Sequence, residues 1–122
     1  MQDLTTPMKD ISMSLYANYI TERTNDLIVE TAEGFATYRY MNDGKSVYVI
    51  DIYTIPAARR AGYAFYLGDK IVAEAKLKGC TELLGTVQPS TRNSTDSIKF
   101  LIAYGMSISS STNDFLVFRK DI

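Results

Sequence analysis

The spacing of apolar residues changes along the chain, and each change marks an element. Met8, Ile11, Leu15, Tyr19 and Ile20 recur at helical intervals. Thr6 and Pro7 ahead of them supply a cap and a first-turn proline, so the pattern predicts an amphipathic helix to about Arg23, ended by Thr24-Asn25-Asp26. Leu27–Glu30 and Phe35–Met41 then read as strands, with Ala32-Glu33-Gly34 as the turn between them. Asn42-Asp43-Gly44-Lys45 is a hairpin turn that leads into a β-branched and aromatic run from Ser46 to Ile55. Pro56 closes that run, because proline has no N–H for a central ladder. A helical period returns from about Ala61 to Lys78, with Ala64, Leu67, Ile71, Val72 and Ala75 as the buried stripe and Gly79 as its left-handed stop.

Glu82–Val87 is the next strand, and Gln88–Asn93 a loop. Ser94 is the expected cap of a shorter helix to Tyr104, with Ile98, Leu101 and Ile102 inward and Gly105 ending it. Met106–Ser111 and Phe115–Phe118 read as a final antiparallel hairpin around Asn113-Asp114. Helix, three strands, helix, strand, helix, two strands is the order of an α+β fold. It implies one central mixed, mostly antiparallel twisted sheet with helices on both faces, residues 1–122 forming one domain.

Composition removes several classes of function. The formal net charge of −1 gives no electrostatic footprint for nucleic acid, so no direct nucleic-acid binding is expected. With 46% hydrophobic residues, no apolar run approaches the roughly 18 needed to cross a membrane. No signal-peptide pattern opens the chain, so a cytoplasmic protein is expected. The single cysteine, Cys80, follows Gly79 at a helix–strand junction and reads as a small reduced core residue rather than a nucleophile. The absence of histidine removes the commonest general base and metal ligand, so neither a metal site nor Ser-His-Asp chemistry is expected.

The stretch from Val47 to Ala64 carries the candidate chemistry. A strand, a turn of small and basic residues, and a helix start together make an anion site. The first turn of a helix has unpaired N–H groups and the positive end of the macrodipole, and small residues let a phosphate reach the backbone.

These residues resemble the GNAT family of acyl-CoA N-acetyltransferases over Leu27–Ile122. Arg59-Arg60-Ala61-Gly62-Tyr63-Ala64 is similar to the family's phosphate loop, Gln/Arg-x-x-Gly-x-Gly/Ala. Asp51-Ile52-Tyr53-Thr54-Ile55-Pro56 resembles the strand ending that precedes it. Ser94-x-x-Ser97-Ile98-x-Phe100-Leu101-x-x-x-Gly105-Met106 is similar to the family's Asn-x-x-Ala-x-x-Leu-Tyr-x-x-x-Gly-Phe. The resemblance implies acetyl-CoA as cosubstrate and a primary amine, small or on a protein, as acceptor. It implies that the pantetheine arm pairs with the backbone of Ile52, Tyr53 and Thr54, and that the pyrophosphate sits on the N–H groups of Arg60 to Ala64, with Arg59, Ser94 and Leu101 also binding the donor. A homodimer stays open.

Catalytic groups depart from that pattern. Leu101 stands where the family often has a tyrosine acid, and Ser94, with Asn93 adjacent, where it has an asparagine. Ile50 occupies the position of a glutamate base in some relatives, leaving Asp51 as the only carboxylate on the strand. Asp51 has two readings, the base or a buried hydrogen-bonded structural group, and Tyr48, Tyr53 and Tyr104 are alternative acids that also read as packing aromatics. The last helix is similar to segments of small phage-type members, some of which are not established enzymes. A binding or structural protein on the same fold, virion or host-interacting, is therefore the second reading.

Overall fold

The computed structural model describes residues 14–59 and 61–122. Its elements follow the predicted order: α1 (Leu15–Thr24), β1 (Leu27–Glu30), β2 (Gly34–Met41), β3 (Ser46–Thr54), a 3-10 turn (Pro56–Ala58), α2 (Tyr63–Leu77), β4 (Glu82–Val87), α3 (Ser94–Ala103), β5 (Ser107–Thr112) and β6 (Phe115–Asp121). The strands form one six-stranded sheet in the order β1-β2-β3-β4-β6-β5. Every neighbouring pair is antiparallel except β3 and β4, which run parallel because α2 crosses between them.

The core lies between the sheet and α2. Leu67, Ile71 and Ala75 of the predicted stripe are buried against Ala36, Val47, Leu83 and Phe118. Both helices on this face end in the same device. Gly79 (φ +94°) follows α2 and Gly105 (φ +95°) follows α3, each in the left-handed region where glycine carries no Cβ penalty. The N–H of Cys80 returns to the carbonyl of Ala75 at 2.9 Å, and that of Met106 to Leu101 at 3.0 Å, which satisfies carbonyls of the last turn. Cys80 is buried as expected, its thiol donating to the Gly44 carbonyl at 3.3 Å, and burial pushes that thiol above its ordinary pKa.

The first helix departs from the pattern. Thr6, Pro7, Met8 and Ile11 lie outside the described residues. Ser14 is extended (φ −72°, ψ 168°) and accepts from the N–H of Ala17 at 3.0 Å, so it caps α1, which starts at Leu15. The face turned inward is that of Ala17, fully buried, while Leu15 is 89% exposed and Tyr19 is also exposed. Alternation explains this: Phe35 points away from Ala36 and the core face, and it is Phe35 that meets Tyr16, with ring centroids 5.4 Å apart. α1 therefore lies on the sheet face opposite α2 and α3. On α3 the expected inward Ile102 is 57% exposed, and the inward positions are Ile98 and Leu101.

Asp26, at the end of α1, is 7% exposed and receives two bonds from Arg39, at 2.7 and 3.0 Å. That hydrogen-bonded guanidinium holds the Asp26 carboxyl below its ordinary pKa. The pair's contribution is complete above the unfolded aspartate pKa, near 4, and is lost as pH falls through the lower native value. Arg39→Leu should cost about 1–2 kcal/mol at pH 7, less than a fully buried pair because the guanidinium is half-exposed. Between about pH 5 and 2 the variant should lose less stability than the wild type, measured by thermal unfolding. Parallel pH curves for the two proteins would contradict this account.

Candidate functional site

The parallel pairing of β3 with β4 runs from Ser46–Glu82 to Val49–Gly85 and ends there. Beyond it, Asp51 to Thr54 pair only with β2, and Thr86 and Val87 only with β6. The two strands diverge, and their inner edges keep backbone groups without ladder partners. A cleft of ≈ 920 Å³ opens at this divergence and extends to the start of α2 and the inner side of α3.

A bulge sets the faces of β3. Thr37 pairs with Asp51 and Tyr38 with Val49, so Ile50 is an extra residue without an opposite number. Val47 and Val49 both face the core. Strict alternation would send Asp51 there as well, and the inserted Ile50 turns it outward while Ile52 packs on the core. Asp51 is exposed and lines the cleft, which excludes the reading of a buried structural carboxylate.

The predicted phosphate loop lies at the cleft's far edge. Gly62, with φ +78° and ψ 12°, is the residue before α2 and makes no side-chain cap. The first intrahelical bond is from Tyr66 N–H to Gly62 carbonyl at 3.1 Å, so the N–H groups of Tyr63, Ala64 and Phe65 are the orphan donors of a helix start. A Cβ built on Gly62 meets nothing within 4 Å, so the space beside this turn is open. Tyr63 anchors the turn: its hydroxyl donates to Glu33 Oε1 at 2.9 Å and lies 2.7 Å from Thr31 Oγ1 in the β1–β2 turn. Arg59 folds back, Nε donating to the Thr54 carbonyl at 3.0 Å with its guanidinium 5.5 Å from the Tyr53 ring centre.

Most of the expected site residues meet here. Ile52, Tyr53 and Thr54 line the cleft from β3, and Arg59, Gly62, Tyr63 and Ala64 from the loop and α2. Leu101 lines it from α3, 3.7 Å from where a Cβ on Gly85 would stand. Arg60 lies outside the described residues. Ala61 is not among the cleft residues, and its N–H is directed to the Ala58 carbonyl at 3.4 Å. Ser94 is also outside the cleft and does not cap α3. The cap is Asn93 in the left-handed region (φ 65°), without a side-chain bond, while the Ser94 hydroxyl donates to the Pro89 carbonyl at 2.7 Å.

Tyr104 lines the cleft with its hydroxyl committed, donating to Asp69 Oδ1 at 2.7 Å. Burial, together with the Asp69 carboxylate, holds this phenol well above the ordinary tyrosine pKa. An acid works best with a pKa near the working pH, so this geometry suits a brace between α2 and α3. Gly68 admits the ring: a Cβ there would stand 3.2 Å from it. The glycine in mid-helix thus serves contact with α3.

The sequence pattern assigned no site role to Phe65 or Phe100, which meet at 5.3 Å on the cleft wall, and did not show that Tyr48, an alternative acid, has its hydroxyl 2.8 Å from that of Thr86. The available signal was an aromatic at the edge of the α2 stripe and one beside Leu101. No His/Cys/Asp/Glu cluster suited to a metal occurs among the described residues.

A parallel pair that parts in front of a glycine-led helix start thus frames the cleft of this α+β domain, and sequence comparison identifies its class. The pattern of the Acetyltransferase (GNAT) family matches residues 10–101, and the chain belongs to that family. Among curated proteins none matches it in sequence. Solved structures similar in fold include a GNAT-family acetyltransferase from Desulfovibrio desulfuricans (17% identity, TM-score 0.66, 76% of this chain and 64% of that one). Another is the PaiA N-acetyltransferase of Thermoplasma acidophilum, solved in complex with coenzyme A (16%, 0.69, 88% and 69%). The anti-CRISPR protein AcrVA5 is similar at 16% identity and TM-score 0.64, over 78% of this chain and 97% of that one. The chain spans less than two thirds of the Desulfovibrio protein.

Gly68→Leu tests the brace. Leucine favours a helix over glycine by about 0.8 kcal/mol, yet displacing the Tyr104 ring should cost about 1–3 kcal/mol. The expected net effect is a lower Tm in calorimetry. An unchanged or higher Tm would show that the contact does not constrain α2 against α3.

Proposed function

We propose that this protein is an N-acetyltransferase that moves an acetyl group from acetyl-CoA directly to a primary amine. The observation that carries the reading is the loss of β3–β4 pairing after Val49 and Gly85, opening onto the orphan N–H groups after Gly62. The residues fit the donor. The free edge of Ile52 to Thr54 offers amides and carbonyls to the pantetheine arm, and the first turn of α2 offers N–H groups and open space to the pyrophosphate. When bound, acetyl-CoA supplies an activated thioester. A neutral amine is already a nucleophile, so the protein needs only to position it and take up its proton. Asp51, exposed on the cleft wall, is our candidate for that proton, through water; Tyr104 is the weaker candidate acid, given its bond to Asp69.

Among the described residues, α1 packs on β1 and meets β2 through Tyr16 and Phe35, which leaves the acceptor side open. An exposed lysine or chain terminus of a protein fits such a surface better than an enclosed small molecule, and we infer a protein acceptor in the cytoplasm. The second reading, a non-catalytic binding protein of phage type, is favoured by the aliphatic Leu101 and the committed Tyr104 hydroxyl. The fold likeness to an anti-CRISPR protein of matching size is compatible with either.

Two measurements test the proposal. Gly62→Asp puts a Cβ on a left-handed backbone and a negative charge beside the helix start. It should abolish acetyl-CoA binding in calorimetry while leaving the fold intact, and equal affinity in both proteins would refute the donor site.

The other measurement concerns catalysis. Acid–base help contributes about 10²–10⁴-fold, and Leu101 supplies none. CoA release with lysine peptides should be slow and rise from pH 6 to 9 as the amine deprotonates, and Leu101→Tyr should accelerate it. No turnover by either protein on peptides or polyamines, with acetyl-CoA bound, would establish the binding-protein reading instead.

A further inference from the structure

We propose that Tyr53, Phe35 and Tyr16 form a docking ledge for the acceptor, an extended protein segment with an apolar residue near its lysine. The inference rests on the acetyl-transfer reading and names the acceptor class within it. The cleft passes through the sheet. Val49, Ile52, Leu83 and Val87 line it on the side of α2 and α3, and Asp51, Tyr53 and Thr86 on the side of α1. Pairing with β2 fixes that division: Ala36 and its partner Ile52 turn to the core, while Phe35 and its partner Tyr53 turn to the α1 face. A donor held from the helix side leaves the amine to arrive on the α1 face, beside the exposed Asp51 carboxylate.

Three rings run in series from the cleft onto α1. The Phe35 centroid lies 5.7 Å from that of Tyr53, which lines the cleft, and 5.4 Å from that of Tyr16. Tyr53 is 43% exposed and Tyr16 47%, with their contacts to Phe35 and to the Arg59 guanidinium already made. Uncovered tyrosine offers a broad apolar face with a polar tip, a side chain that protein interfaces favour. The ledge keeps its shape because α1 is tied at both ends. The N–H and hydroxyl of Ser14 donate to the Glu30 carboxylate at 2.9 and 3.1 Å, and Arg39 donates to Asp26 beyond the last turn.

Reach and charge select the occupant. A lysine aimed at Asp51 sets its ammonium against the carboxylate and its methylene stem along Tyr53. An extended chain advances about 3.3 Å per residue, so the second and third residues from that lysine reach Phe35 and Tyr16. A small amine ends at Tyr53 and leaves the far ring uncovered.

Calorimetry and CoA release on the full chain test this with three synthetic peptides. The reference is a central lysine flanked by glycines, and the other two carry leucine at the second and third positions before the lysine or after it. With CoA bound, at least one leucine peptide should bind wild type about fivefold more tightly than the reference, the scale of partly burying leucine. In turnover with acetyl-CoA the gain should fall in KM rather than kcat. Tyr16→Ala, a change at a half-exposed ring, should erase the preference, and Tyr16→Phe should keep it. Both variants should bind acetyl-CoA as wild type does. Equal affinity for all three peptides would overturn the inference, and acetylation of the reference peptide would then leave the transferase reading standing. A preference that survives Tyr16→Ala would overturn it as well. A Tyr16-dependent preference in calorimetry without turnover on any peptide would refute the transferase reading and keep the ledge as a peptide site. Wild type that binds neither acetyl-CoA nor any peptide would overturn both.

Discussion

Backbone groups that lose their ladder partners where β3 parts from β4 are the constraint on which the rest of the structure depends. An unpaired N–H or C=O in a sheet interior is costly unless water or a ligand pairs it. Here the loss is held in place from both sides. β2 keeps Asp51 to Thr54, β6 keeps Thr86 and Val87, and neither strand is free to rejoin the other. The bulge at Ile50 adds local twist at the point of parting, and Leu101 packs beside Gly85 where the gap opens. The sheet thus stores an edge in its own middle, the chemical complement of an extended amide-bearing arm.

An edge of this kind is useful only if the helix start beside it holds a constant position. The described contacts achieve that at three points on α2. Tyr63 ties the first turn to Glu33, Gly68 lets Tyr104 close on the second, and Gly79 ends the helix where Cys80 enters the core. Arg59, stacked over Tyr53 and bonded to the Thr54 carbonyl, joins the end of β3 to the loop before the helix. These contacts fix the position of the helix start relative to the sheet.

Much of this was legible in the sequence because it rests on local chemistry. Pro56 ends a strand for want of an N–H, Gly62 and Gly79 occupy left-handed positions, and the Leu67–Ile71–Ala75 stripe follows the helical period. The order of elements, and hence the α+β class, followed from such signals. What was not legible depends on tertiary pairing. Nothing local marks Ile50 as a bulge, yet it decides that Asp51 faces solvent. The helical spacing of Leu15 and Tyr19 is real, but the partner across from α1 is Phe35, which selects the Ala17 face instead. Ser94 reads as a cap by residue type, while Asn93 holds the left-handed position and Ser94 turns to Pro89.

The central claim is that the free edge of β3 and the first turn of α2 together hold the donor, and amide hydrogen exchange with and without acetyl-CoA tests it most directly. The account predicts slowed exchange on binding at Ile52 to Thr54 and at Tyr63 to Phe65, with β5 and β6 unchanged. Saturating acetyl-CoA that leaves those amides exchanging at their free rates, and protects a different surface, would contradict it.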